Sequence, residues 1–263
     1  SYAGKKRHLP WFLLAVKALA GNGTRVLLHG GGAHTAGRLY SEQLLELLQI
    51  PLCHDWAQVE TALDKQNLAF IPLGNWMPQL QRMIDLRNIL GLRSPIHSLA
   101  RILNPLQARC GLQSIFHPGY QAVHRDASKL LDDRVIVIKG EGGEIEVNPD
   151  SPCQLLGTCD QGNWEENWPA LAAQRHVKPE RLEPEKLLAI WQGSETDDYG
   201  LQARLEAIAP GCAIVPVSPK AARPGPMPRT RTRLGALPVM MKPPMRTFSP
   251  APASPRVEML MRR

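Results

Sequence analysis

"TRVLLHGGGAHTAG", residues 24–37, decides how the rest of the chain is read. Val26, Leu27 and Leu28 make a short apolar run that predicts a buried strand, and the chain then empties into a glycine-rich turn. Working outward, "PWFLLAVKALA" (10–20) predicts an apolar helix opened by Pro10 and closed by Gly21-Asn22-Gly23. "SEQLLELLQI" (41–50) has the spacing of an amphipathic helix with Ser41 as its N-cap. Helix, strand, loop and helix in that order predict an α/β fold, a mainly parallel sheet flanked by helices. "LAFIPLG" (68–74) adds a strand, "QLQRMIDLRNILGL" (79–92) a helical stretch, and "GLQSIFHPGYQAVHRDAS" (111–128) a strand, a turn and a helix. "RVIVIKGEGGEIEVNPD" (134–150) offers two β-runs around a tight turn, and "CQLLGT" (153–158) one more strand.

Of the 263 residues, 43% are hydrophobic, enough for a sizeable core. The longest apolar stretch, Trp11 to Ala20, is interrupted by Lys17 and is shorter than the roughly 20 residues of a membrane span, so no membrane association is expected. Five cysteines without a C-x-x-C pair predict reduced thiols in a cytoplasmic protein and no zinc site. The net charge of +7 is unevenly placed: residues 219–263 hold ten Lys/Arg against Glu258, whereas residues 1–218 hold 21 basic and 23 acidic side chains. Bulk charge therefore says little about the body, and only local basic clusters can. Residues 216–263 carry eleven of the 24 prolines, which predicts a folded domain over 1–215 and a disordered Pro/Arg-rich tail over 216–263.

Four stretches offer chemistry, each with a plainer alternative. In "LGLRSPIHSLARILNPL" (90–106), Arg93, His97 and Arg101 fall within about 80° of helix circumference, with Ile96, Leu99, Leu103 and Leu106 opposite. This is either an amphipathic helix with a solvated basic edge or the wall of an anion site. The "HGGG" turn lets backbone N–H groups approach anionic oxygens, aided by a following helix N-terminus, or it is simply a turn. In "KGEGGEIE" (139–146), Glu144 and Glu146 share one face of a strand, as part of a magnesium site with substrate phosphates or as acidic edges of a solvent-facing hairpin. Lys5, Lys6 and Arg7 suit polymer phosphates or a frayed basic end. Trp164, Trp168 and Trp191 lie among acidic residues and read as packing groups, and no distance can be assigned among His117, His124, Asp126 and Asp85.

The 90–106 stretch resembles the Arg-Thr-x-x-Asn-x-x-Gly-Pro-Leu-x-Asn-Pro segment of anthranilate phosphoribosyltransferases, with Arg93, Leu99 and Asn104-Pro105 in matching places. "GLRSPIHSLARILNP", "QSIFHPGYQAVHRDAS" and "KGEGGEIEVNPD" are still more similar to the YbiB-like branch of that superfamily, glycosyl transferase family 3, and with "RVLLHG" the likeness spans residues 1–200. The resemblance implies a phosphoribosyltransferase-type α/β domain. It also implies homodimers formed through a helical domain that these residues do not include. His29 and Gly30 resemble part of the transferases' Lys-His-Gly-Asn loop, but Leu28 and Gly31 replace its lysine and asparagine. Glu141, Gly142 and Glu144 resemble the first, second and fourth positions of an Asp-Gly-Leu-Asp-Glu metal segment, with Ile145 at the fifth. The Gly-Thr-Gly-Gly-Asp loop that holds pyrophosphate is missing, and Lys5, Lys6 and Arg7 lie near its place.

What the branch implies is a non-catalytic, nucleic-acid-binding protein that takes DNA or RNA with little sequence preference and needs no cofactor. Its phosphate contacts would be Lys5, Lys6, Arg7, Arg25, Arg38, Arg93, Arg101, Arg125 and Lys139. His29, Gly30, Arg93, Asn104, Glu141 and Glu144 would be the remnant of a substrate pocket. The alternative is a transferase of tryptophan biosynthesis that uses phosphoribosyl pyrophosphate (PRPP) with magnesium, and a third is a small-molecule-binding remnant with a regulatory role. After "ETDDYGLQA" (195–203) the resemblance implies an Ala/Leu-rich helical ending, and the Pro/Arg-rich text in its place is what a reading-frame change produces.

Overall fold

The computed structural model describes residues 1–92, 94–197 and 199–200; Arg93 and the expected tail lie outside the described residues. The run that opens the sequence is strand β1 (Val26–Gly30), preceded by helix α1 (Phe12–Gly21). Phe12 to Val16 of α1 are all buried, as an apolar helix with no polar face must be. β1 pairs in parallel with β2 (Leu68–Pro72), Val26 opposite Leu68 and Gly30 opposite Pro72. The crossover between them carries α2 (Trp56–Gln66), whose Val59, Ala62 and Leu63 pack on Cys53, Ala69 and Ile71. Asp55 caps α2, its side chain accepting from the Gln58 N–H at 2.8 Å. Asp55→Ala is expected to lower stability by about 1 kcal/mol. Urea unfolding should show this as a lower midpoint with an unchanged slope.

The chain continues through four short helices, α3 (Leu73–Trp76), α4 (Pro78–Asp85), α5 (Arg87–Leu90) and α6 (Ile96–Leu99). A second sheet follows. β3 (Gly111–Ile115) and β4 (Val135–Lys139) are parallel and joined by α7 (Gln121–Leu130), while β5 (Cys153–Cys159) and β6 (Gly162–Trp168) extend the sheet antiparallel. Ile136, Ile138, Val147, Cys153, Leu155 and Trp168 form its core, which puts Trp168 in the packing role expected of it. Helix α8 (Glu185–Gln192) brings the Trp191 ring to 5.0 Å from the Lys17 ammonium. Cys53 and Cys159 are free thiols. Among the described residues no helix is long and apolar enough to cross a membrane.

The α/β class therefore holds, with parallel pairs carried by helical crossovers, and several local expectations are corrected. The helix expected over 41–50 is a 3-10 turn, Ser41–Leu44, followed by turns: Gln43 donates to the Tyr40 carbonyl and Gln49 to the Glu46 carbonyl three residues back, and Gln49 takes a positive φ of 54° that ends any helical run, while Leu44, Leu45 and Leu48 are buried all the same. The second β-run expected after "KGEGGE" does not form: the turn itself holds a 3-10 helix, Glu141–Gly143, and the chain from Glu144 to β5 is irregular. Strand β6 had no sequence signal of its own beyond the alternation of "GNWEENW", whose exposed Asn163, Glu165 and Asn167 alternate with less exposed Trp164 and Glu166 and with buried Trp168.

Candidate functional site

In open sheets with parallel strands, ligand sites collect beyond the carboxyl ends of the strands. Here those ends are His29-Gly30 of β1, Pro72 of β2, Ile115 of β3 and Lys139 of β4, with Gly140 directly after it. Residues 1–5 lie across them as an extended strap. The Ser1 carbonyl accepts from the Gly31 N–H at 3.1 Å, and the Tyr2 hydroxyl meets His29 Nδ1 at 2.6 Å. Ala3 and Gly4 both donate their N–H to Glu144 Oε1, each at 2.7 Å. Lys5 bridges to Leu39 through its backbone and sends its ammonium into the acidic loop.

That ammonium is 2.6 Å from Glu146 Oε1 and 3.2 Å from the Glu141 carbonyl. The Lys5 and Glu146 side chains are 1% and 0% exposed, so the pair is withdrawn from water. Glu146 Oε2 accepts from the Phe12 N–H at 3.2 Å. Two glycines make this closeness possible by having no side chain. A Cβ at Gly30 would lie 2.5 Å from the Ser1 carbonyl oxygen, and one at Gly140 only 1.7 Å from the Glu144 carbonyl oxygen. Arg38 closes the strap from the other side by donating to the Ala3 and Gly4 carbonyls at 3.1 and 2.9 Å.

Charge in the site follows from this burial. Desolvation opposes ionisation of Glu144, but the Ser1 amino group, Arg101 and the N–H groups of Ala3 and Gly4 outweigh it, and its carboxyl is held below the usual range. For Glu146 desolvation wins over Lys5 and the Phe12 N–H, and its carboxyl is pushed up. Burial, with the nearby Ser1 amino group, lowers His29 to about 3, so its imidazole is neutral near neutral pH. His124 falls to about 4 through burial and the Arg101 charge; it is joined to Gln113 at 3.0 Å, and Gln113 to Ser128 at 2.8 Å.

The candidate residues separate into three groups. Lys5, His29, Gly30, Glu141 and Glu144 do come together at the strand ends, but Lys5 is buried and paired instead of exposed, because Glu146 needs a counter-charge inside the fold. Arg101 also turns inward: its Nη1 donates to the Ser114 carbonyl at 3.3 Å, and its Nη2 is buried without a hydrogen-bond partner among the described residues. The expected solvated basic edge is thus reversed, since His97 is buried and Leu99 is 44% exposed. The acidic-edge hairpin is likewise corrected, as Glu144 and Glu146 are 2% and 0% exposed. A second group is engaged locally. Arg25 pairs with Asp64, Arg125 with Asp126, and Asn104 spends its amide on Asp133 and Ala108.

Lys6, Arg7 and Lys139 form the third group, and all are exposed. Lys6 and Arg38 line an open cleft of about 420 Å³ with Gln43, Pro179, Glu180 and Leu182. No helix begins at the "HGGG" turn, as the next helical residues are Ser41–Leu44, so the expected helix-end assistance to an anion is absent there. Tyr2 and Ser114, whose hydroxyl donates to the Gly143 carbonyl at 2.8 Å, were not foreseen as site residues, and Glu146 entered the sequence reading only beside Glu144 on one strand face, never as the partner of Lys5. Their partners are between 27 and 141 positions away in the chain, beyond the reach of any local spacing rule.

No family model matches the sequence. The chain is similar to the protein YbiB of Escherichia coli, 28% identical over 165 residues that cover 61% of this chain and 50% of that one. It is also similar to the anthranilate phosphoribosyltransferase of Chromobacterium violaceum, 30% identical over 137 residues, 52% of this chain and 40% of that one. The chain spans half or less of the length of the curated relatives it matches. Among solved structures, the anthranilate phosphoribosyltransferase of Thermus thermophilus superposes with a TM-score of 0.60 at 23% identity, covering 78% of this chain and 64% of that one. The Saccharomyces cerevisiae enzyme in complex with PRPP and Mg gives 0.59 at 14% identity, covering 77% and 60%.

Proposed function

We propose that this chain, a relative of the anthranilate phosphoribosyltransferase superfamily in sequence and fold, is a non-catalytic binder of nucleic acid that grips phosphates with basic side chains around a spent substrate site. One observation carries the reading: the carboxylates at the strand ends are occupied by the chain's own donors, and residues 1–5 fill the space beside them. A diphosphate donor would have to displace Lys5 and the Ala3 and Gly4 N–H groups before it met these acids. The cations that stay outside, Lys6, Arg7 and Lys139, suit the backbone of a polymer. Lys139 ends β4 in register with Ile115, and the segment that follows Ile115 exposes Phe116 and Tyr120, 49% and 58%. Exposed rings on that segment favour stacking on unpaired bases, and so single strands over duplex.

Fluorescence anisotropy with labelled single- and double-stranded oligonucleotides across a salt series tests the reading. Three phosphate contacts on a single strand give a slope near −2 in log affinity against log salt, a loss of roughly 20-fold between about 50 and 200 mM. Lys6→Glu with Arg7→Glu should flatten that slope and weaken all sequences alike. Binding that ignores salt would falsify the proposal. Turnover of anthranilate with PRPP and magnesium by the same preparation would replace it with the transferase reading.

A further inference from the structure

We propose that Lys5 is a built-in counter-cation: its ammonium fills the role that a divalent ion would play at the acidic loop 140–146, so that this loop binds no magnesium. The proposal goes beyond the nucleic-acid reading and stands whether or not oligonucleotides bind.

Magnesium demands oxygen lone pairs at about 2.0–2.1 Å in near-octahedral order, usually one or two carboxylates with water and substrate phosphates. The loop does contain three acids, Glu141, Glu144 and Glu146. Each of the three already has at least one carboxylate oxygen engaged, and Glu146 has both. Glu146 Oε1 holds the Lys5 ammonium at 2.6 Å and Oε2 the Phe12 N–H, while Glu144 Oε1 takes two N–H donors at 2.7 Å. Glu141 Oε2 accepts from Asn148 Nδ2 at 3.2 Å. Among the described residues no three acidic, histidine or cysteine side chains converge as a metal centre requires. These residues therefore do not fit the ion named with the yeast relative.

The ammonium reaches across the loop as a bound ion would, touching the Glu146 carboxylate and the Glu141 carbonyl together. Unlike a metal, it is tethered to the strap it fixes. A strap residue that supplies the cation permanently makes closure of the site independent of any dissolved ion.

Titration of the full chain with MnCl2, followed by the loss of the free-ion paramagnetic resonance signal and by thermal melting, tests this. Wild type should leave the Mn2+ signal undiminished and its melting temperature unmoved. Lys5→Ala, and the closer-shaped Lys5→Gln, should take up Mn2+ and melt several degrees higher in its presence, the gain disappearing when Glu146→Gln is added. Uptake of Mn2+ by wild type that Glu146→Gln abolishes would overturn the proposal. So would folded Lys5 variants that ignore the ion. Should neither variant fold, the wild-type titration decides on the same two outcomes.

Discussion

Gly140→Ala is expected to yield no folded protein, with the chain recovered in the insoluble fraction or melted at ambient temperature. Gly140 has φ −75° and ψ 146°, a conformation open to alanine, so backbone preference is not the obstacle. Space is. The added methyl would lie 1.7 Å from the Glu144 carbonyl oxygen and 2.8 Å from Ser114 Cβ. A carbonyl oxygen has no rotamer to escape into, and this one accepts the Glu146 N–H at 2.8 Å. Relief would have to shift the loop that carries Glu144 and Glu146, undoing the contacts to Ala3, Gly4, Lys5 and Phe12 at once. The cost should exceed about 4 kcal/mol, beyond the usual range for one substitution. Gly119→Ala is the control: nothing lies within 4 Å of its added Cβ, and it should melt like the parent in circular dichroism. A soluble Gly140→Ala protein with the parent's melting temperature would show that the loop does not pass Gly140 as described.

Lys5→Met should destabilise by about 3–5 kcal/mol, since it removes the ammonium, keeps the volume and leaves Glu146 buried without its counter-charge. The effect should depend on pH in a definite direction. Burial already raises the Glu146 carboxyl, and Lys5 pulls against that rise, so deleting Lys5 raises it further. A carboxyl raised on folding favours the fold in its protonated form; that contribution is complete below the unfolded value of about 4.3 and is lost as pH rises through the folded one. Lys5→Met should therefore be least impaired near about pH 5 and most impaired towards pH 8. Glu144 works the other way in both proteins. Its lowered carboxyl favours the fold above its unfolded value, and that support fades as pH falls through the folded one. Pairing Lys5→Met with Glu146→Leu should recover most of the loss, because an apolar pair needs no desolvated charge. Chemical denaturation of the three proteins at pH 5, 7 and 8 provides the comparison.

Much of the scaffold was legible in advance for a simple reason. Strands such as "LAFIP" and "RVIVIK" are buried over most of their length and therefore read as unbroken apolar runs, the half-buried "RVLLHG" is legible by its Val-Leu-Leu run and the glycines after it, and helix α1 declares itself by Pro10 and the glycines after Ala20. Where burial rests on tertiary neighbours the legibility fails. The leucines of 41–50 satisfy a helical period and still form a 3-10 turn, and His97 sits inward where its helix face predicted solvent. His97 lies 5.0 Å from the His34 ring, and neighbouring Arg101 lies by the Ser114 carbonyl, both partners from other segments.

The candidate site divides along the same line. Residue types marked the strand-end turns, because glycines gather where the chain reverses, and the resemblance to the transferases singled out His29-Gly30 and the acidic loop within them. Which cations point outward was decided only by the fold. Lys5, Lys6 and Arg7 are three consecutive charges in the chain, yet one neutralises a glutamate 141 positions away and its neighbours face water. Local order determines the elements, since backbone geometry repeats over two to four residues; the partner of a buried charge is chosen by whatever segment the finished core brings beside it, and no spacing along the chain encodes that distance.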